Sequence, residues 1–262
     1  GTVRLTWRCD PAPHTECGLD AEAWGPGAAW LLERVDGLTG AADSAVGFHT
    51  AHPVVARALT ATRTRRIGSN GNLYHHLLAT VLQQRITGGE VLRQWAALCR
   101  ELGERPPGPD DVVAGMRLPP APASIARRPA WWYHHLGVES KRARALDQVA
   151  RHAASLWSWA DAGPEIAAAR LSLLPGIGPW TIGSVLGPAL GDADAVAVGD
   201  FHHPHAVAWA LAGEPRADDA RMLQLLEPYR GQRGRVLSAL LRTSGSAPAF
   251  GPRRRTTPVA AL

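Results

Sequence analysis

The stretch that most limits how this chain can fold is Leu173-Leu174-Pro175-Gly176-Ile177-Gly178-Pro179-Trp180-Thr181. The Ala-rich apolar run from Ile166 to Leu174 reads as a helix, and Pro175 ends it, because proline has no N–H and its ring clashes with the preceding turn. Gly176 and Gly178 then supply a tight turn, since glycine reaches backbone angles that side chains forbid. A second apolar run, Trp180 to Leu190, follows at once. The pattern predicts two short helices joined by a hairpin over residues 171–190, with almost no side chains on the turn. The N–H groups that open the second helix have no partner inside it, which makes the turn a natural seat for phosphate. A Gly-x-Gly alone fits an ordinary helix corner equally well, so the downstream segment decides.

That segment, Asp194-Ala195-Val196-Ala197-Val198-Gly199-Asp200-Phe201-His202, alternates briefly and delivers Asp200 to the mouth of another helix. Pro204 in the first turn and the run Ala206 to Leu211 mark that helix. An Asp there can serve simply as a cap. Taken together, the hairpin, the tryptophan just after it and the Asp twenty residues beyond Trp180 resemble the signature of the helix-hairpin-helix DNA glycosylase superfamily. Within it they are most similar to the 3-methyladenine DNA glycosylase II (alkylbase) type. The match is most specific over residues 171–211 and weaker from about residue 23 to the C-terminus.

The resemblance implies a mainly α helix-hairpin-helix fold with a small N-terminal β remnant. Its implied partner is double-stranded DNA containing damaged bases. The implied activity is base excision by a monofunctional glycosylase, hydrolysing the N-glycosidic bond of alkylated purines such as 3-methyladenine or 7-methylguanine. Asp200 is the expected catalytic carboxylate, since bond breaking passes through a cationic sugar that a carboxylate stabilises, and it can orient a water. Gly176, Gly178 and Thr181 would grip the DNA backbone. The backbone carbonyls of Ser172, Leu174 and Ile177 would hold a monovalent cation, Na+ or K+; no other cofactor is expected. Trp180 would line the base pocket, where an electron-rich ring favours a cationic base. Phe201 and one ring of Trp132 or Tyr133 are further pocket candidates; for the Trp131-Trp132-Tyr133 group the competing reading is core packing. Where the resembled enzymes carry a tyrosine four residues after the tryptophan, this chain has Ser184. At the end of an earlier helix, Gln84 or Arg85 would fill the gap left by a flipped-out base. Two alternatives stay open: a glycosylase for oxidised or deaminated bases, and a non-catalytic hairpin protein that only binds DNA. A pure binder has no use for Asp200.

Some members of the superfamily also cut the strand through a lysine near the hairpin. The run Ala167-Ala168-Ala169-Arg170 has none, and the one lysine, Lys141, belongs to another helix, so no lyase activity is expected. An iron–sulfur cluster would need four late cysteines, and no cysteine follows Cys99. His202-His203-Pro204-His205 does not make a zinc site, because adjacent positions point apart and no Cys or Glu completes a set.

The rest of the chain is consistent with this. In its 262 residues, 45% hydrophobic with ten tryptophans, there is material for a sizeable core, and the net charge of +5 mildly favours an anionic partner. Cys9, Cys17 and Cys99 are too scattered for a disulfide framework. With no signal peptide and no transmembrane run, a monomeric, cytoplasmic, nucleoid-associated protein is expected. Residues 1–25 form the β segment: Thr2 to Cys9 alternates Val3, Leu5 and Trp7 with polar residues, and a second strand covers Asp20 to Trp24. Residues 26–250 form the helical body. Helices are expected at Ala28 to Val35, from Pro53, from Leu73 after the cap Ser69-Asn70-Gly71-Asn72, and at Glu90 to Leu102 with Val91, Leu92, Trp95, Leu98 and Cys99 inward. A long helix runs from near Ser140 to Trp159, with Lys141 and Arg142 on its surface, and two further helices cover Asp218 to Leu226 and Gln232 to Leu241. Residues 251–262 are a basic, solvated tail around Arg253-Arg254-Arg255.

Overall fold

The computed structural model describes residues 1–8, 18–45, 48–245 and 247–248. Cys9, Cys17 and the basic tail lie outside the described residues. Two strands, β1 (Thr2–Arg8) and β2 (Gly18–Trp24), pair antiparallel, with Val3 opposite Ala23 and Leu5 opposite Ala21. They rest on α1 (Ala28–Leu32). Trp7, expected on the half-buried face, is 64% exposed, because burial of β1 lapses from Thr6 onward. The single helix expected up to Val35 is two: the chain turns at Glu33–Arg34 and restarts as α2 (Val35–Thr39).

Pro53 opens α3 (Pro53–Ala61). The Asn72 side chain caps α4 (Leu73–Gln83), accepting the His75 N–H at 3.0 Å. Leu77, Leu78, Val81 and Leu82 of α4 are fully buried. Each such side chain contributes roughly 1.5–3 kcal/mol of burial free energy, which makes α4 the centre of the first core. Around it pack α5 (Gly88–Leu102), α7 (Pro122–Ala126) and a 3₁₀ turn (Ala130–Leu136), with the short α6 (Asp110–Val113) intervening in the chain. After them come α8 (Ser140–Arg151), α9 (Ala153–Asp161), α10 (Pro164–Leu171) and α11 (Pro179–Leu190). The long helix expected to Trp159 is broken at His152, so that α8 and α9 each pack on α4. On α5 the inward face is also shifted: Leu92 is 69% exposed, whereas Glu90 and Gln94 are buried beside Leu98.

A second core joins α3 to three helices from the far end of the chain, α12 (His203–Ala212), α13 (Asp219–Leu226) and α14 (Arg233–Thr243). Val55 and Ala58 meet Val207, Met222, Leu226, Val236 and Leu240 there. The segment after α11 crosses between the cores, with Ala195 packed on the first and Val196 on the second. The crossing is tight. A Cβ at Gly183 of α11 would overlap the Val196 carbonyl, and one at Gly234 of α14 would overlap the Ala195 carbonyl. Gly183→Ala is therefore expected to cost about 1–3 kcal/mol, the usual range for overpacking. A thermal melt unchanged within 1 °C would show that the segment gives way freely.

Candidate active site

The hairpin forms as its residues dictate. After α10 the chain tightens: the N–H groups of Ser172, Leu173 and Leu174 reach back to Ala168, Arg170 and Leu171. The helix expected to reach Leu174 thus ends at Leu171, before Pro175; Gly176 takes φ +87°, and the Ile177 N–H closes the turn on the Leu174 carbonyl at 3.0 Å. Leu174 and Ile177 are buried in the first core and anchor the turn, while Pro175 and Gly176 face outward. Gly176 is needed twice, for its angle and because a Cβ would meet the Ala145 methyl at 2.9 Å. Gly178 is extended and precedes α11, whose first position is Pro179. Among the described residues the N–H groups of Gly176, Gly178, Trp180 and Thr181 have no backbone acceptor. This is the anion-binding pattern of a helix start.

The Ser172 and Ile177 carbonyls accept no hydrogen bond among the described residues, and Leu174 accepts only that of Ile177. Acceptor capacity is therefore left on the three carbonyls expected to hold a cation.

Asp200 faces this hairpin. Gly199, at φ +94°, turns the chain, and its N–H donates to Asp219 Oδ1 at 3.0 Å. Asp200 Oδ1 accepts the backbone N–H groups of His202 at 2.8 Å and His203 at 3.0 Å, at the start of α12. Its Oδ2 accepts the indole N–H of Trp180 at 3.0 Å. The side chain is 20% exposed. Burial works against the charge, but the Trp180 indole, the two backbone N–H groups and His203 outweigh it and hold the carboxyl below its ordinary value of 3.8. His203 Nε2 lies 3.7 Å from Oδ1, yet burial depresses that imidazole and its buried Nδ1 has no partner. Among the described residues Asp200 forms no ion pair with Arg or Lys. An ionised carboxylate held by neutral donors keeps its charge available, and Oδ2, with one donor, retains an open lone pair. Asp194, six residues earlier, is spent on Arg233 and on the Gly231 and Arg233 N–H groups.

The other predicted residues divide. Trp180 is half-buried at the second position of α11, beside Asp200, and Ser184 Oγ turns back to the Trp180 carbonyl at 2.7 Å. Phe201 is 78% exposed, edge-on to His202 and His205. His205 Nδ1 is occupied by the Ala217 N–H at 3.1 Å. Tyr133 does not line an open pocket: it is 1% exposed, and its hydroxyl donates to the Ile125 carbonyl. Trp132 stacks edge-on with Tyr133 and His135 under the Arg128 guanidinium, and no contact links it to Asp200. Both rings are packing residues. The Thr181 hydroxyl is likewise inward, with the residue 2% exposed, so it has only a backbone N–H to offer outside.

Gln84 and Arg85 have different surroundings. Gln84 Nε2 donates to the Gly176 carbonyl at 2.9 Å and to Thr181 Oγ1 at 3.0 Å, tying α4 to the hairpin. Arg85 is exposed and has φ +62°, the one non-glycine in the left-handed region among the described residues.

Arg142, expected on the surface, is 2% exposed. Its guanidinium donates to the Leu82 carbonyl and Gln94 Oε1, both at 2.8 Å, and to the Gly137 carbonyl at 3.2 Å. It therefore pins the last turn of α4, just before Gln84. The signal was present: Arg142 shares a helix face with Leu146 and Val149.

No protein-family model matches the chain, and no curated protein sequence does. Solved structures do. A 3-methyladenine DNA glycosylase from Archaeoglobus fulgidus superposes with a TM-score of 0.66 at 15% identity, over 91% of this chain and 81% of that one. An 8-oxoguanine glycosylase/lyase from Clostridium acetobutylicum gives 0.59 at 12%, over 72% and 66%. A Schizosaccharomyces pombe 3-methyladenine DNA glycosylase, in complex with abasic DNA, gives 0.57 at 16%, over 76% and 93%. The chain has the fold of the helix-hairpin-helix DNA glycosylases.

Proposed function

We propose that the chain is a monofunctional DNA glycosylase that hydrolyses the N-glycosidic bond of alkylated purines in duplex DNA and leaves an abasic site. The observation that carries this reading is the Asp200 carboxylate, held below its ordinary value, without an Arg or Lys partner among the described residues, and joined to the hairpin helix by the Trp180 indole. As the bond to the base lengthens, the sugar becomes cationic, and a carboxylate beside the anomeric carbon stabilises it without reorganising. The open lone pair of Oδ2 can orient the attacking water and take its proton. Trp180 offers its ring face to a cationic base, and the exposed Phe201 a second apolar surface.

The hairpin N–H groups of Gly176, Gly178, Trp180 and Thr181 hold the backbone phosphate beside the lesion. A Na+ or K+ ion on the carbonyls of Ser172, Leu174 and Ile177 would add positive charge there. Bond hydrolysis needs no lysine, and Lys141 lies on the exposed first turn of α8, so strand scission is not part of the reaction. The chain acts as a monomer in the cytoplasm, at the nucleoid.

Base release from duplexes carrying 3-methyladenine, 7-methylguanine, 8-oxoguanine or uracil tests the reading. Release of the methylated purines alone, without strand breaks, is expected. Release of 8-oxoguanine or uracil instead would assign the oxidised or deaminated class, and salt-dependent binding with no release would assign a DNA-binding protein.

Gln84 is held by the hairpin, so Arg85 is the residue assigned to the gap left by the flipped base. Its left-handed backbone costs about 1 kcal/mol that glycine would not incur. Arg85→Gly is expected to leave the melting temperature unchanged or higher while lowering release from duplex DNA by about tenfold, because the unfilled hole costs a few kcal/mol. Release from single-stranded DNA should change little. An equal loss on both substrates would remove Arg85 from this role.

A further inference from the structure

Between the two cores lies a cavity of about 580 Å³ that the chemistry above does not use. None of Trp180, Asp200, Phe201 or the hairpin lines it. Its walls come from the end of α3 and the link after it, from α11 and from α14. Five lining residues are arginines: Arg63, Arg65, Arg66, Arg235 and Arg242. Two are engaged. Arg235 is ion-paired with the buried Asp43, and Arg66 donates to the Asp43 carbonyl at 3.2 Å. The guanidinium groups of Arg63, Arg65 and Arg242 make no hydrogen bond or ion pair among the described residues. The one acid on the wall, Asp192, accepts the Asp194 N–H at 2.8 Å and so serves its own loop.

Three unpaired, solvent-exposed guanidiniums lining one concavity give it a positive field that draws an anion. Guanidinium is also the side chain whose donor fork matches phosphate oxygens in pairs. The cavity is several times larger than a phosphate and falls within the roughly 300–1,000 Å³ of small-molecule sites. Leu59, Ile67 and Pro188 give it an apolar portion. A flat ring could lie there.

We propose that this cavity binds a nucleoside phosphate, with the phosphates on Arg63, Arg65 and Arg242 and the ring against Leu59 and Ile67. Its source is either a free nucleotide or the phosphorylated end of a nucleic acid strand, which share this chemistry. Calorimetry of the full chain with ADP, with a 5′-phosphorylated single-stranded tetranucleotide and with inorganic phosphate tests it. Binding of ADP or the tetranucleotide is expected, weakened at least about tenfold in Arg242→Gln and in the double variant Arg63→Gln/Arg65→Gln. Both variants should melt as the parent does and release damaged bases at its rate. Asp200→Asn should bind the probe as the parent does, which separates this cavity from the base pocket. Binding of ADP assigns the free nucleotide, and binding of the tetranucleotide alone assigns a strand end. No heat with either, affinity untouched by the arginine variants, or inorganic phosphate binding as tightly as ADP would each overturn the proposal. Base release plays no part in this readout, so a failure of the glycosylase reading would be seen separately.

Discussion

Asp200→Asn is expected to lower base release by about 10²–10³-fold while leaving DNA binding and the fold in place, as losses of this kind do when one preorganised electrostatic group is removed. The substitution is close to isosteric. The Asn side-chain oxygen can still accept the His202 and His203 N–H groups, so the start of α12 keeps its cap, worth about 1 kcal/mol. What disappears is the negative charge, and the amide NH₂ then faces the Trp180 indole N–H, donor against donor. Trp180→Phe separates these effects, since it removes the indole donor and keeps both a ring and the carboxylate. It should cost only about tenfold, the value of one lost hydrogen bond to a charged group.

The pH dependence follows from the same contacts. The folded Asp200 carboxyl is held below its ordinary 3.8. A group depressed on folding adds stability above its unfolded value and loses it as pH falls through the folded one. The acid limb that Asp200 sets on base release should therefore lie below pH 3.8, with the rate flat from neutral pH down to that region. An Asn variant retaining more than about a tenth of the parent rate would remove Asp200 from the chemistry.

Much of this site was legible in the sequence because its parts are local. Pro175, Gly176 and Gly178 act on the backbone within a few residues of themselves, so the hairpin could be read as chemistry before any packing was known. Asp200 was legible for the same reason: a turn glycine, an acid and a proline-started helix lie within six residues, and the acid both caps and faces the hairpin. The errors fall where distant elements decide. Tyr133 and Trp132 are aromatic in a chain that wants aromatic rings at its pocket, but the Tyr133 hydroxyl finds its acceptor in the Ile125 carbonyl on α7, and periodicity says nothing of that. Gln84 and Arg85 are adjacent and both polar; only the hairpin, ninety-two residues from Gln84, tells them apart. On α5 the face was read from hydrophobicity alone, which hid Glu90 and Gln94 behind Leu92. They are inward because a buried cation from another helix requires them.

That cation gives the largest stability effect expected in the molecule. Arg142 is 2% exposed, and burial pushes its guanidinium below the ordinary arginine range without neutralising it. It is stabilised by a set of acceptors and not by one carboxylate. Leu82, Gly137 and Gln94 accept its protons, and Gln94 in turn donates to Glu90 at 3.2 Å and to the Gly137 carbonyl at 2.7 Å. Its buried Nε has no partner, so the network is held at some cost.

Arg142→Ala would leave the Leu82 carbonyl and the Gln94 oxygen without this donor, a buried Glu90 without its nearby cation, and a void where the side chain lay. The expected loss is about 3–5 kcal/mol. At 2–4 °C per kcal/mol for a body of this size, the melting temperature should fall by about 10 °C. Arg142→Lys keeps the charge but brings a single point donor to acceptors spread over three segments, and should recover less than half of the loss. Because the Leu82 carbonyl belongs to the last turn before Gln84 and Arg85, the Lys variant should bind damaged duplex more weakly at a temperature where it is fully folded, with release from single-stranded DNA little changed. If Arg142→Ala melts within 2 °C of the parent, the buried network does not hold α4 in place, and the end of that helix is fixed by the Gln84 bond to the hairpin alone.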